Sequence, residues 1–472
     1  MKKILTNNMK FGLLTAGIVI STLSSQSIAF AADGPHETLN EEPTEYLSDD
    51  KLPPRNKPLL ELGPKFLSTG NITPGITIPT GAVWTPSLWV YGTFRSALQY
   101  YEDDNDVGAS EWANRLDLFA NLQLSGTERI LLGVTPLHNR DTGLFSGKVF
   151  SPSGQKRSIS ELNFEIDTLF FEGDFAEIFP NLDVFDSSKN DIGISIGRQG
   201  VVFSEGFIVN DNMDGFGLSK NNIRFPKNPN IVNWRSSIFV GLNGVHRGDN
   251  QLDKDSEFYG WFNQIDTPKT TFNFDAAYVD SNNDDDLLNF SVDATRRLGK
   301  TNATFRAAYS KALDSETSKA GTGLLLFTEL SWVPKHTHDN LYLNGFVGID
   351  EFTSAARGPL TGGPLGRTGL LFAAQGIGSS PSPLSNSAQE AAGVALGYQK
   401  FSKNNRRQWT FEAAGRVEND GALSTQRDEF GLGVRFQQAV GDRALIQIDG
   451  FSTKQKGRNV STGLRCEILL KL

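Results

Sequence analysis

Between Val460 and Leu472 the chain alternates strictly enough to fix its local structure. Val460, Thr462, Leu464, Cys466, Ile468, Leu470 and Leu472 fall on one face; Ser461, Gly463, Arg465, Glu467 and Lys471 fall on the other, with Leu469 the apolar exception. A repeat of two belongs to a β-strand with two unlike faces. A strand of roughly ten residues, apolar on one side and charged on the other, matches the wall of a transmembrane β-barrel.

The pattern recurs from about residue 87 onward. Leu88, Val90, Phe94, Leu98 and Tyr100 alternate with polar residues, as do Leu116 to Leu124, and Leu162, Phe164 and Ile166. Further on the same holds for Phe272 to Tyr278, Leu288 to Ala294, Ala303 to Tyr309, Trp409 to Val417 and Phe430 to Phe436. A soluble sandwich shows a few such strands. So many, with acids and arginines gathered on one face, suit a water-filled barrel. Composition agrees: apolar residues make up 38% of the chain, below the usual ~45–50%. After residue 31 no stretch is long and apolar enough for a membrane helix.

Connectors alternate in length. Gly126 to Glu128, Pro268 to Lys269, Gly299 to Lys300, Lys403 to Asn405 and Gly441 to Asp442 read as short periplasmic turns. Glu102 to Ala109, Arg247 to Asp255, Asp280 to Asp286, Leu313 to Ala320 and Asp420 to Asp428 read as longer outer loops. Counting pairs predicts an all-β, antiparallel up-and-down barrel of about 18 strands, with 16 to 18 allowed because residues 170–230 are hard to divide. Trp234, Trp332 and Trp409 fall beside the turns, and Tyr100, Tyr278 and Tyr309 beside the loops, as interface girdles require.

The organisation follows. Residues 1–31 read as a signal peptide: Lys2, Lys3 and Lys10, an apolar core from Phe11 to Ile20, and Ala29-Phe30-Ala31 before the cut. Cleavage there removes those lysines and no acid, so the mature chain is more acidic than the full chain's −9. Residues 32–84 form an acidic, Pro-rich leader, its part from about Leu59 expected to order against the barrel, and a candidate docking segment for a periplasmic partner. Residues 85–472 form the barrel. One cysteine, Cys466, excludes an internal disulfide. The acidic balance excludes nucleic-acid binding by bulk charge. The expected location is the outer membrane of a Gram-negative-type bacterium, in contact with its lipid.

The lumen face on this register collects Arg95, Arg115, Arg235, Arg306, Arg416, Arg435 and Arg465, together with Asp117, Glu165, Asp167, Asp275, Asp293, Glu329, Asp350, Glu412, Asp449 and Glu467. Such charges either select solutes or pair across strands and keep the wall polar. Residues 352–388, rich in Gly, Pro, Ser and Ala, are too long for an ordinary connection. They read either as a loop folded into the barrel to narrow it or as an external loop. Asp284, Asp285 and Asp286 are a weak candidate for calcium through hard oxygen ligands; a solvated loop explains them as well. Gly193-Ile194-Ser195-Ile196-Gly197 matches G-x-S-x-G, but it lies inside an alternating strand rather than at a strand-to-helix elbow. No catalytic or cofactor motif accompanies it.

Residues 196–223, IGRQGVVFSEGFIVNDNMDGFGLSKNNI, resemble the alginate-export family of outer-membrane barrels, with Gly197-Arg198-Gln199 ending one strand and Asp214-Gly215 opening the next. The resemblance implies a monomeric barrel of roughly 18 strands conducting an anionic polysaccharide through an arginine-lined pore. It implies that Arg198 is a lumen residue near the constriction and Asp214 its neighbour across the strands. Parity alone puts Arg198 with Ile194 and Ile196, on the apolar face; a bulge at Gly197 reconciles the two. The lumen set has more acids than arginines, which opposes a polyanion. The expected function is a porin-like channel passing small polar or charged solutes by diffusion. Polysaccharide export and a non-conducting structural or interaction barrel are the alternatives, with the oligomeric state left open.

Overall fold

The alternating segments fold as strands. The computed structural model describes residues 57–63, 74–103, 105, 107–139, 142–151, 156–183, 189–418 and 428–472. The wall strands are β1 (Ser87–Glu102), β2 (Gly108–Gln123), β3 (Arg129–Val134), β4 (Ile166–Asp174), β5 (Ile192–Phe203) and β6 (Val209–Ile223). They continue as β7 (Asn233–Leu242), β8 (Ser256–Asp266), β9 (Thr270–Ser281), β10 (Leu287–Leu298), β11 (Thr301–Ala312) and β12 (Gly323–Trp332). The last six are β13 (Asn340–Asp350), β14 (Ala391–Ser402), β15 (Arg407–Glu418), β16 (Glu429–Val440), β17 (Ala444–Gln455) and β18 (Val460–Lys471). Each pairs antiparallel with the next, and β18 pairs with β1, Leu464 opposite Tyr100 and Leu470 opposite Phe94. The sheet is a closed 18-strand antiparallel barrel with almost no helix. Closure leaves no strand edge unpaired.

The two rims differ. At the rim where β1 starts and β18 ends, connections 267–269, 299–300, 403–406 and 441–443 are tight. Gly299, at φ 62°, supplies the left-handed residue of the β10–β11 turn. This rim also carries a longer connection, 175–191, opened by a helical turn at Phe175–Ile178 that the Asp174 side chain caps. The opposite, far rim carries 135–165, 243–255, 313–322 and 351–390.

One stretch departs from the expected register. Leu162 and Phe164 alternate with polar residues but form no strand; β4 begins only at Ile166. The space above β3, which stops at Val134, is filled by Leu144–Ser151, whose Val149 lies opposite Glu111 of β2. Of the leader, Leu60–Leu62 pairs with Leu88–Val90 of β1, extending the wall beyond the end of β18. The signal peptide, the rest of 32–84 apart from 57–63 and 74–84, and outer-loop residues 419–427 lie outside the described residues.

Strand alternation sorts side chains between the faces. On β10 Phe290 and Val292 are exposed, while Asn289, Ser291 and Asp293 between them are buried. The outer face is apolar with aromatic ends, and two of its tryptophans find local acceptors. Trp112 donates to Ser96 Oγ at 2.8 Å and Trp261 to Ser236 Oγ at 3.0 Å. In a membrane these indole N–H groups have no water to bond, so the cross-strand hydroxyls remove a desolvation cost.

The inner face is less polar than its sequence suggests. Val201, Met213, Phe239, Phe258, Phe262, Val279 and Leu287 all point inward and form a core with Ile208, Val245, Ala355 and Ala356 from far-rim connections. A second core joins Phe207, Leu325, Phe327 and Phe346 to Phe352, Leu365, Leu371, Phe372 and Leu384. A third puts Ile377 against Ala97, Ala113 and Phe145. The far-rim connections therefore fold into the barrel, and the strands beneath them carry apolar residues on both faces.

Candidate functional site

The connection between Asp350 and Ala391 crosses the barrel interior. Its root is closed by Glu390 N–H, which donates to the Asp350 carbonyl at 3.0 Å. Its first part lies against the β5–β6 hairpin. Ser354 Oγ donates to the Phe207 carbonyl at 2.6 Å, and Arg357 donates to the carbonyls of Gly206 (2.5 Å), Gly362 (2.6 Å) and Gly363 (2.8 Å). Burial pushes the Arg357 guanidinium down to about 10, so it stays a cation at neutral pH. Its charge is met by carbonyl dipoles, which pins the connection to the hairpin tip. That tip is itself strained: Ser204 and Glu205 both hold positive φ, at 50° and 51°.

Further along, the chain reaches the facing wall. Leu370 and Leu371 donate their N–H groups to the two oxygens of Glu412, at 2.7 and 2.8 Å. Tyr342 donates its hydroxyl to the same carboxylate. A Cβ at Gly369 would lie 2.3 Å from Glu412 Oε2, so a side chain there would push this carboxylate off its donors. The Gly376 carbonyl accepts from Arg115 (3.0 Å) and Arg95 (3.4 Å), and Arg465 donates to the Gln375 side chain. Glu111 accepts from Ser379 N–H and Gln99. Arg416 donates to the Ser385 carbonyl at 2.8 Å, and Ser385 N–H donates to Glu429 at 3.0 Å.

Two groups of inward charges result. On β16, β17, β18, β1 and β2, Arg435 pairs with Asp449 (2.7 Å), Arg95 with Glu467 (2.6 Å) and Arg115 with Asp117 (2.9 Å). Arg465 lies among them, against Glu467 and 3.9 Å from Asp449. Across the barrel, Arg306 on β11 meets Asp293 (3.4 Å) and Glu205 (3.3 Å) and stacks its guanidinium 4.5 Å over Phe207. Asp275 is buried beside this group, with Asn263 N–H on its carboxylate. Arg367, from the crossing connection, bridges Glu205 (3.1 Å) and Glu329 (3.3 Å). Arg416 pairs with Glu418 at 2.6 Å, and Arg235 donates to Gln264 at 3.3 Å near the short-turn rim.

Several expected residues sit elsewhere. Arg198 and Asp214 do meet across β5 and β6, at 2.7 Å, but on the outer face. Ile196 and Val202, of the same parity, are exposed, while Gln199 and Val201 are buried. Gly197 has φ 121°, yet the β5–β6 register runs through it without a shift, so no bulge turns Arg198 inward. Asp167, beside a register irregularity in β4, accepts from Asn212 at 3.0 Å on the same outer side. Glu165 precedes β4 and is exposed. Asp350 ends β13 with φ 55° and is exposed. Asp285 engages Arg247 at 3.0 Å, and Asp286 accepts from Tyr278 (2.7 Å) and Ser281 N–H (2.8 Å). Asp284 also holds a positive φ. Among the described residues no group of three or more His, Cys, Asp or Glu is placed to hold a metal ion.

The reading missed the other half of the site: Glu111, Glu205, Arg357, Arg367 and Glu429. Two signals were present. Glu111 and Glu429 share the parity of inward Arg115 and Arg435 on their own strands, and Arg357 and Arg367 are the charged side chains of residues 352–388, in an otherwise uncharged run. A far-rim network was also missed. Buried Arg247 joins Asp253 (3.3 Å) and Asp285, and buried His246 lies 2.8 Å from Asp211 of β6. Burial pushes the Asp253 carboxyl up, but Ser281, Lys319, the Asp255 N–H and Arg247 together hold it below the usual carboxylate value.

No family model matches the chain, and no curated protein matches it. Solved structures do. OccK2 of Pseudomonas aeruginosa superposes with a TM-score of 0.54 at 12% identity, over 82% of this chain and 98% of that one. OccAB2 of Acinetobacter baumannii gives 0.52 at 12%, over 82% and 98%. OccK11 of Pseudomonas aeruginosa gives 0.51 at 9%, over 81% and 96%. The likeness is one of fold: the chain is built as a porin-like 18-strand barrel.

Proposed function

We propose that this chain is an outer-membrane channel passing small polar or charged solutes by diffusion, narrowed by residues 352–388. The observation that carries the reading is the crossing connection, bonded to Glu412 on one wall and to Arg95, Arg115 and Glu111 on another. A connection held inside the lumen by charged side chains from several strands narrows a polar passage and fixes its lining. The inward charges of Arg95, Arg115, Asp117, Asp275, Asp293, Arg306, Glu329, Glu412, Arg416, Arg435, Asp449, Arg465 and Glu467 would line the passage, mostly as pairs. Paired charges keep a wall hydrated without a strong net field. The fold neighbours support the reading, being outer-membrane porins, and OccK2 has been solved in complex with glucuronate.

Export of an anionic polysaccharide loses its support. The residues that carried that resemblance, Arg198 and Asp214, are on the outer face, and the comparisons give it none. Planar-bilayer recording tests the channel. The full chain should give discrete conductance steps, and deletion of 356–384 should enlarge them. A folded barrel that never conducts overturns the reading, and unchanged steps after the deletion overturn the constriction.

A further inference from the structure

The outer face of most strands keeps charge at its ends. On β9, β11 and β17 the outward charges near the far rim are Asp280, Lys311 and Lys454, each one residue from the strand's end. β5 and β6 break this rule. Arg198 follows Ile192, Ile194 and Ile196 at mid-strand, and Asp214 follows Leu218 and Phe216. Their side chains remain 47% and 30% exposed although they bond each other twice, at 2.7 and 2.9 Å. Around them the outward positions are Gly200, Asn210, Asn212 and Asp167, with Asn212 bonded to Asp167. Above them the wall ends early, because residues 204–208 turn into the barrel.

We propose that this notch, the outer face of β4 to β6, is where a second copy of the chain docks. The inference rests on the membrane placement of the barrel proposed above. Lipid tails cannot solvate Arg198, Asp214 or two asparagines, so a bilayer in contact with them must thin or admit water. A protein partner removes that cost. Helices that associate in lipid do so through small residues that allow close approach and polar side chains that bond across the contact, and Gly200 beside Asn212, Arg198 and Asp214 offers both. A two-fold axis normal to the membrane suits the charges. Each copy presents a cation on β5 beside an anion on β6, so rotation sets Arg198 against the partner's Asp214 and the reverse, the self-complementarity of an isologous contact.

Cross-linking tests it. In a Cys466→Ser background, Val202→Cys and Ile196→Cys flank the notch, and Phe430→Cys lies on the outer face of β16 as a control. Intact membranes are treated with a short bis-maleimide. The expected result is a dimer band from the first two and none from the third. Adding Arg198→Leu with Asp214→Leu should cut the dimer about tenfold while the barrel still migrates as a folded, heat-modifiable species. Equal cross-linking at all three positions overturns the proposal, as does none from folded protein. So does a monomer that retains lipid unless both leucines are introduced, since the occupant is then lipid. Conductance is not read, so a failed channel leaves the result standing, and failed membrane placement shows separately as barrel in the soluble fraction.

Discussion

Glu412, on the inner face of β15, holds Leu371 of the crossing connection by an N–H bond of 2.8 Å, and its other oxygen holds Leu370 at 2.7 Å. Nothing else in that segment offers the two donors a carboxylate. Hydrogen bonds to a charged group are worth about 1.5–3 kcal/mol each. Glu412→Ala therefore frees the connection by roughly 3 kcal/mol, which moves its docked-to-released ratio on the order of a hundredfold. Single-channel recording should show larger and noisier openings. Glu412→Gln keeps one carbonyl acceptor and should fall between. Traces identical to wild type would show that the remaining anchors suffice.

Arg357 makes a different kind of anchor. Its guanidinium is buried and its acceptors are the carbonyls of Gly206, Gly362 and Gly363. Removing the donor leaves those oxygens without it in a dry site, at about 1–3 kcal/mol each. Arg357→Met should lower the urea midpoint of the barrel and expose 352–388 to added protease. Arg357→Lys, a point cation without the planar fork, should recover only part of the loss. Protection equal to wild type in Arg357→Met would remove the arginine from the anchoring set.

Acid should loosen the far rim first. Asp253 is held below its ordinary value by Ser281, Lys319, the Asp255 N–H and Arg247 against the opposing effect of burial. A carboxyl depressed in the folded state adds stability above its unfolded value, about 3.9, and loses it as pH falls through the folded value. Protection factors for amide exchange across 243–255, taken against the intrinsic rate at each pH, should thus be flat from pH 7 to about 5 and fall below about 4. Asp253→Asn should exchange faster at pH 7 and lose most of this pH dependence. An acid response that survives in Asp253→Asn would assign it to another group.

The wall was legible because lipid and water impose opposite demands on alternate residues. Where that contrast is complete, as at Leu464-Arg465-Cys466-Glu467, the sequence reveals strand and face. It fails where connections fold inside. Phe258 and Phe262 pack inward while Tyr259 and Trp261 between them face out, so β8 shows no alternation to read. It misleads at Leu162 and Phe164, where a periodic segment is displaced from the wall by Leu144–Ser151. Parity placed Arg435, Asp449, Arg465 and Glu467 on the inner face but also put Glu165, Asp167 and Asp350 there, which lie exposed or on the outer side. Glu205, Arg357 and Arg367 were not legible, because they lie on connections whose course depends on tertiary packing.

Charge pairing on the inner wall makes an opposed pair of predictions. Arg435 and Asp449 lie 2.7 Å apart on neighbouring strands, with Arg465 3.9 Å from the same carboxylate. Asp449→Asn leaves two guanidiniums with one anion fewer, and Arg435→Gln removes one of the two cations. In a narrow water-filled lumen such single charges set ion preference. Reversal potentials in a salt gradient should shift toward anions for Asp449→Asn and toward cations for Arg435→Gln. The double variant should return near wild type, because what it removes is a neutral pair. If both single variants leave the potential unchanged, this wall does not border the conducting path, and the passage lies on the side of Glu205, Arg367 and Glu329.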